Sequence, residues 1–286
     1  MASVAVITDS SADLPPALAA EAGITIVPLY VRFGAEEHKA GVDLPTEAFW
    51  DKMLSPGTPI PTTAAPSPGD FVAAFERAFS NGADAIVAPL IGSKLSATLQ
   101  SAKVAVQSMP DREIHLIDTR STSMSTGIPA LMAADLVLDG MSAAQVAEQI
   151  AARLADISLF VAVDTLDYLR KGGRLSATQA VIGSMLSVKP IITVVDGSVT
   201  LSERQRSRAK ARARVIELVA GSPVERLAIL HTPTSSPDEV AAFREALVAA
   251  IPYGVDPAMI STGLIGATTG PHLGPDLMGA AFLMRR

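Results

Sequence analysis

The chain has 286 residues, 49% of them hydrophobic and 4% aromatic, with a formal net charge of −6 and no cysteine. That length and apolar content suit two modest α/β domains, in which a ligand cavity is lined by aliphatic groups, an arrangement poor for stacking nucleobases. The acidic balance argues against general affinity for nucleic acid or anionic membrane, and the lack of cysteine excludes disulfides, thiolate metal sites and cysteine nucleophiles.

In chain order, Val4 to Thr8 reads as a short buried strand, followed by "DSSADLPPALAAEAG" as a turn and helix with prolines near its first turn. "ITIVPLYVRFG" reads as a second strand, "GAEEHKAG" as a hairpin tip, "PTEAFWDKML" as a helix and "SPGTPIPTTAAPSPGD" as a Pro/Thr loop. "DFVAAFERAFSNG" is an amphipathic helix ending on Gly82. "ADAIVAPLI", "EIHLID" and "LFVAVD" read as parallel-type strands between helices near 96–108, 122–138 and 142–155. "KPIITVVDG", "ERLAILHT" and "PAMISTGL" repeat the theme around helices near 208–220 and 237–250. The alternation predicts an α/β chain. Its N-terminal domain, residues 1–156, is a doubly wound, Rossmann-like parallel sheet, and residues 157–286 form a C-terminal α/β domain. The N-terminus lacks a basic leader, and no apolar run approaches the roughly 20 residues that span a bilayer, so the expected location is cytoplasmic, without an integral membrane segment.

No P-loop, G-x-G-x-x-G, H-E-x-x-H or G-x-S-x-G occurs, and the four histidines, His38, His115, His231 and His272, are far apart, so no metal is expected. "GSKLSATLQS" breaks a buried strand at Gly92 and restarts as a helix. Free N–H groups at such a helix start, with Ser96 and Thr98 hydroxyls, favour a carboxylate or phosphate, although Ser96 is equally suited to capping the helix. "PIPTTAAPSPGD" offers Thr62 and Thr63 either to the same crevice or to a local hydroxyl turn. "GLIGATTGPHLGPD" sets glycines around His272, which fits backbone pressed close to a ligand as well as plain turns. "ERQRSRAKARAR" puts cations where a helix begins, unfavourable for its dipole unless an anion or acidic partner offsets them; the other reading is a solvated face. "LDYLRKGGRLS" adds Arg170, Lys171 and Arg174.

Along its whole length the chain resembles the DegV family of bacterial fatty-acid-binding proteins. "ITDSSADLP" looks like the family's opening strand and turn, "PTTAAPSP" its P-x-T-S-Q-P-S loop, and "LSATLQSA" its L-S-G-T-Y-Q-S-A helix start. "LDYLRKGGRLS" resembles Y-L-x-x-G-G-R-I, "KPIITVVDG" K-P-I-x-x-x-x-D-G, and "IGATTGPHLGPD" I-G-x-x-x-G-x-H-x-G-P-G. The resemblance implies a two-domain fold holding one long-chain fatty acid near the domain interface. It also implies a separate ATP-dependent fatty acid kinase as partner, which converts the presented carboxylate to acyl phosphate for phospholipid synthesis. Carried over by motif, Thr63, Ser96, His272 and Arg206 would bind the carboxylate, with Thr62, Ala97 and Thr98 as further head-group contacts, while Arg170 and Arg174 would face the kinase. No catalytic residue, metal or cofactor is implied for this chain.

The sequence departs from the family pattern at Ala64 and Ala65 (for Ser-Gln), Ala97 (for Gly), Leu99 (for Tyr) and Asp276 (for Gly). These changes bear on which ligand is held and on its hydrogen bonding. Two other readings stand beside the binding subunit. One is an acyl hydrolase or transferase in which His272 activates Ser96 or Thr63; the other is a carrier of a different amphiphilic acid. Tail selectivity would lie within "STSMSTGIPALMAADLVL" and "TQAVIGSMLSV", whose small and Met side chains suit an ordinary core equally well.

Overall fold

The computed structural model describes residues 3–175 and 188–286. Strand β1 (Val4–Asp9) is buried from Val6 onward and ends on Asp9, whose carboxylate accepts the Ser11 N–H and so caps the short turn leading to α1 (Pro16–Glu21). The run expected as one strand is divided at Pro28 and Leu29. β2 (Thr25–Val27) pairs with β1, while β3 (Tyr30–Phe33) leaves for another sheet and turns back into β4 (Glu36–Lys39). A proline has no N–H with which to continue a ladder, so the break falls there. After α2 (Thr46–Leu54), the Pro/Thr stretch contains a strand, β5 (Thr62–Ala64), that pairs antiparallel with β3. The three residues fit between Pro61 and Pro66, neither of which takes part in the pairing.

Helix α3 (Pro68–Ser80) starts with a Ser67/Asp70 capping box and buries Phe71, Phe75 and Phe79 at four-residue spacing. There follow β6 (Ala85–Leu90), α4 (Thr98–Gln107), β7 (Glu113–Asp118), α5 (Met124–Leu138) and α6 (Ala143–Arg153). The later part of the chain comprises β8 (Ile157–Ala162), α7 (Asp167–Lys171), β9 (Lys189–Val195), β10 (Ser198–Gln205) and α8 (Arg208–Ala220). It ends with β11 (Val224–His231), α9 (Pro237–Ala250), β12 (Ile260–Leu264), α10 (Gly270–Leu273) and β13 (Met278–Met284).

Three sheets result: a parallel one in the order β2-β1-β6-β7, a mixed one in the order β10-β9-β8-β13-β11-β12, and a small antiparallel one, β4-β3-β5. Every strand of the parallel sheet ends before residue 157 and every strand of the mixed sheet begins at or after it. "LFVAVD" was expected to run parallel to its neighbours, yet β8 is antiparallel to both β9 and β13. The cause is the last strand: β13 returns through the middle of the mixed sheet, between β8 and β11, and only β11 and β12 are parallel there.

Helix α5 lies between the two large sheets, packing on β1 and β6 and also on β8, β11 and β13. It is therefore buried nearly all round from Met124 to Leu131 and shows no amphipathic stripe. One hydrophobic cluster runs through it, joining Val6, Val87 and Ile128 to Leu159, Val161 and Leu283. Among the described residues, no helix is long and apolar enough to cross a membrane.

Candidate functional site

The site begins at the carboxyl ends of β1, β6 and β7, where an open parallel sheet leaves a crevice. Carboxylates on the strands flanking β6 fasten the loop that leaves it. Asp9 Oδ2 accepts the Ile91 N–H at 2.8 Å, and Asp118 accepts the Ser93 N–H at 3.2 Å and the Ser93 hydroxyl at 2.6 Å. The loop then closes a turn, Leu95 N–H and Ser96 N–H both donating to the Gly92 carbonyl, which presents Ser96 and Ala97 just before α4. The Ser96 hydroxyl accepts the Thr98 N–H at 3.3 Å and shares a 2.8 Å hydrogen bond with the buried Thr98 hydroxyl. Ser96 thus closes a local hydroxyl turn before α4 and is a wall residue as well.

A cavity of about 160 Å³ lies over this loop, its wall drawn from both the earlier and the later half of the chain. Its apolar lining comprises Leu29, Ile91, Leu95, Leu169, Val199 and Leu273 with Ala64, Ala65 and Ala97. Its polar lining comprises Ser11, Thr63, Ser96, Thr122, Thr268, Thr269, Arg174 and His272. No acidic side chain is among the described lining residues, so the wall favours an anion.

While Thr62 is exposed, Thr63 reaches the cavity from β5 together with Ala64 and the following Ala65. Its hydroxyl lies 2.9 Å from His272 Nε2. His272 stands on the single turn of α10, and its Nδ1 is buried with no hydrogen-bond partner. A Cβ on Gly172 would lie 2.2 Å from that nitrogen, so the ring packs directly on the glycine backbone. Burial, and then the positive charge of Arg174, bring the imidazole down to about 4, leaving it neutral near pH 7. A neutral ring with a partnerless Nδ1 carries its proton on Nε2, because a buried N–H without an acceptor is the more expensive orphan. Nε2–H then donates to Thr63 and frees the threonine hydroxyl proton to point into the cavity.

Arg174 supplies the wall's positive charge. Its Nε donates to the Leu95 carbonyl at 3.3 Å and its Nη1 to the Gly172 carbonyl at 2.6 Å, which fixes the guanidinium beside His272. Both arginines of "LDYLRKGGRLS", Arg170 and Arg174, were expected to face outward, toward a kinase. Only Arg170 does so: its side chain is 63% exposed and paired at 3.3 Å with Asp167. The glycine turn folds Arg174 back onto the cavity instead.

Of the residues expected at the head group, Thr63, Ser96, Ala97 and His272 share one wall, Thr98 is buried behind Ser96, and Thr62 lies outside. Arg206 is exposed and is not among the lining residues. The basic run around it is largely neutralised from within the chain. Arg208 pairs with Asp164 and Asp276, Arg212 with Glu239, and Arg214 with Glu203 and Glu217, while Ser207 caps α8 by accepting the Lys210 N–H. Among the described residues, Arg204, Arg206 and Lys210 form no ion pair.

The departures from the family pattern also find their places. Ala64 and Ala65 make that part of the wall apolar. Leu99 is buried with Phe71 and Phe75 in the core behind α4, so it withdraws no head-group contact. Asp276 sits at φ 63°, a left-handed backbone that suits glycine, with its N–H held by the Thr234 hydroxyl and its carboxylate by Arg208.

Sequence reasoning missed Ser11, Thr122, Thr268 and Thr269. The doubled hydroxyls in "TDSS" and "GATTG" were the available signal. Of the two stretches expected to set tail selectivity, the first contributes Thr122 to the described wall while α5 is core, and residues 178–187 of the second lie outside the described residues. Ser96 is bonded to Thr98, and His272 bonds Thr63 with no acid behind it, so the nucleophile–base–acid chain of a hydrolase is not assembled here. Among the described residues, no group of three or more His, Asp or Glu side chains could hold a metal.

Comparison with known proteins gives one consistent result. A family model described as an uncharacterised protein, DegV family, matches residues 3–285. A DegV domain-containing protein of Streptomyces coelicolor is 35% identical over 99% of both chains. Among solved structures, a DegV family protein from Thermus thermophilus, described by its fatty acid binding, superposes with a TM-score of 0.88 at 30% identity, covering 99% of this chain and 100% of its own. DegV of Bacillus subtilis, described as a fatty acid binding protein, superposes with a TM-score of 0.86 at 31% identity over the full length of both.

Proposed function

The chain belongs to the DegV family, and on that footing we propose that it binds one long-chain fatty acid and presents the carboxylate to a separate ATP-dependent fatty acid kinase. The observation that carries this reading is a cavity that joins an aliphatic wall to a polar one without any acidic side chain among its described lining residues, with Thr63, Ser96 and Arg174 as donors and His272 bonded to Thr63. The fatty acid binding described for the Thermus thermophilus and Bacillus subtilis proteins supports it.

The physical division of labour is simple. Burial of the tail stabilises the complex by roughly 0.8 kcal/mol per CH₂, and this supplies affinity without chemical selectivity. The head group fixes orientation. Thr63 and Ser96 hydroxyls donate to the carboxylate, the neutral His272 orders Thr63, and Arg174 offsets the negative charge. Two α/β domains, 1–156 and 157–286, hold the ligand at their interface. On the kinase, a carboxylate oxygen forms the new bond to the γ-phosphorus of ATP as the bond to ADP breaks, giving acyl phosphate for phospholipid synthesis. This chain supplies position, and no catalytic base, metal or cofactor. Arg170, exposed on α7, faces the kinase in this arrangement, and the use of ATP puts the exchange in the cytoplasm.

Thr63→Val and Ser96→Ala test the head-group assignment. Each removes one hydrogen bond to a charged group, worth about 1.5–3 kcal/mol, and is expected to weaken hexadecanoate binding about 10-fold to 100-fold. Hexadecanol, which has the tail without the charge, should lose much less. Unchanged hexadecanoate affinity in both variants would overturn the assignment.

A further inference from the structure

Behind the donor wall lies a carboxyl group that the head-group chemistry does not use. Asp13 is 7% exposed, sits at φ 50°, and directs Oδ1 at the loop before α10, accepting the Gly266 N–H at 2.9 Å and the Thr269 hydroxyl at 3.1 Å. Its Oδ2 is buried as well. Thr269 is itself a cavity residue, and its carbonyl accepts the His272 N–H at 3.1 Å and the Leu273 N–H at 3.2 Å. Asp13 therefore stands one hydrogen bond from the cavity surface and anchors the turn that carries His272.

The groups around it offer no positive charge. From the end of β1 comes Asp9, a second fully buried carboxyl, held by the Ser11 N–H, the Ser11 hydroxyl and the Ile91 N–H. The loop before α10 offers only backbone N–H groups and threonine hydroxyls, and the start of α5 offers Ser123, at φ 55°, whose buried hydroxyl acts on the Asp13 carboxyl. From α2, Trp50 bonds the Ile265 carbonyl, and on α10 the neutral His272 turns its Nε2 to Thr63. Among the described residues neither Asp9 nor Asp13 forms an ion pair. Two buried carboxyls without a cation cannot both hold a charge cheaply, and Asp13, with the Gly266 and Thr269 donors on Oδ1 against the three that hold Asp9, is the better place for a proton, which the Ser123 hydroxyl can accept.

Resting on the fatty-acid reading above, we propose that Asp13 is a positioning residue that links ligand binding to proton uptake, a bound carboxylate favouring its protonated form. Burial is the main cause of its shift and outweighs the opposing hydrogen bonds from Ser123, Gly266 and Thr269; with a smaller push from Asp9, Asp13 rises from 3.8 to about 7. Near neutrality it is thus partly ionised in the free protein, and an anion entering the same cavity raises it further. The sign follows. Ligand affinity is highest where Asp13 is already protonated, below about pH 6, and falls as pH rises through its folded-state value.

Calorimetric titration with decanoate, which stays monomeric and ionised at these pH values, tests this in phosphate and in Tris buffer at pH 7.5. The different ionisation heats of the buffers report protons taken up. The expected result is about half a proton per decanoate, with affinity falling about tenfold between pH 6 and pH 8.5. Asp13→Asn keeps an acceptor for Gly266 and Thr269 and should bind decanoate with no proton uptake and a flat pH profile. Carbon-13 NMR of the wild-type Asp13 carboxyl provides the same test without a variant: titration near neutrality, moving upward on binding. Binding without proton uptake, uptake retained in Asp13→Asn, or an Asp13 that titrates near 4 would each overturn the proposal. Absence of any decanoate or hexadecanoate binding would instead remove the fatty-acid reading on which it rests.

Discussion

Gly172→Ala is expected to reduce hexadecanoate affinity about 100-fold while leaving the chain folded. The backbone at Gly172, φ −74° and ψ −7°, is open to any residue, so conformational freedom is not why a glycine stands there. Space is. An added Cβ would lie 2.2 Å from His272 Nδ1, 3.0 Å from its Cε1 and 3.1 Å from the Tyr168 carbonyl oxygen. Overpacking of this kind costs about 1–3 kcal/mol, and the strain falls on the group least able to resist it. That group is the imidazole, because its Nδ1 has no partner and only the 2.9 Å contact with Thr63 holds the other end. Once the ring moves, Thr63 loses its orienting donor. The neighbouring Gly173 provides the contrast. It has φ 68° and nothing within 4 Å of its would-be Cβ, so Gly173→Ala should lower stability by about 1 kcal/mol with little change in affinity. Urea unfolding and hexadecanoate titration on both variants separate the two effects. Equal affinity in Gly172→Ala and the wild type would show that the His272 ring is not held as described.

Trp50→Ala is expected to cost about 3–5 kcal/mol, a large share of the roughly 5–15 kcal/mol of a typical domain. Trp50 is 1% exposed and packs edge-on against Phe49, their ring centroids 5.1 Å apart. Its Nε1–H donates to the Ile265 carbonyl at 2.8 Å, and both rings press on Gly270, where a Cβ would lie 2.7 Å from Phe49 and 3.0 Å from Trp50. The substitution opens a cavity, leaves a buried carbonyl without a donor, and removes the backing of the turn that carries His272. Trp50→Phe keeps most of the volume and loses only the hydrogen bond, so it should cost about 1–2 kcal/mol. This is the only tryptophan in the chain, so circular dichroism rather than indole fluorescence is the readout for the urea midpoint. A midpoint unchanged in Trp50→Ala would mean that α2 does not clamp the site.

The parts of this architecture that were readable in the sequence are those set by neighbours along the chain. Helices α8 and α9 begin and end where expected, at 208–220 and 237–250, because Ser207 and Ser236 cap them and an apolar period runs through each. Strand direction was not readable at β8, because it depends on β13 returning through the sheet. The switch of sheets at Pro28 and Leu29 was missed as well, although that proline, which cannot continue a ladder, was the available signal.

The same distinction governs the site. Thr63, Ser96 and His272 stood out through motif resemblance, although the Thr63–His272 contact closes 209 residues of chain. Ser11, Thr269 and the buried pair Asp9 and Asp13 did not stand out, and Arg174 stood out only as a kinase-facing residue. Their roles depend on which backbone carbonyl or N–H the fold brings to them, and a list of residue types does not contain that. Arg206 was carried over to the head group by motif resemblance, but it is exposed and is not among the lining residues of the cavity, while acidic residues from other elements pair with much of the basic run around it.

In the function proposed above, the cavity holds the carboxylate of a long-chain fatty acid. The most direct test is mass spectrometry of the purified protein, sprayed first under native and then under denaturing conditions. One fatty acid per chain, present in the native spectrum and released on unfolding, is the predicted result. A chain with no bound acyl group, or one that releases a phosphorylated or non-acyl molecule, would contradict the claim.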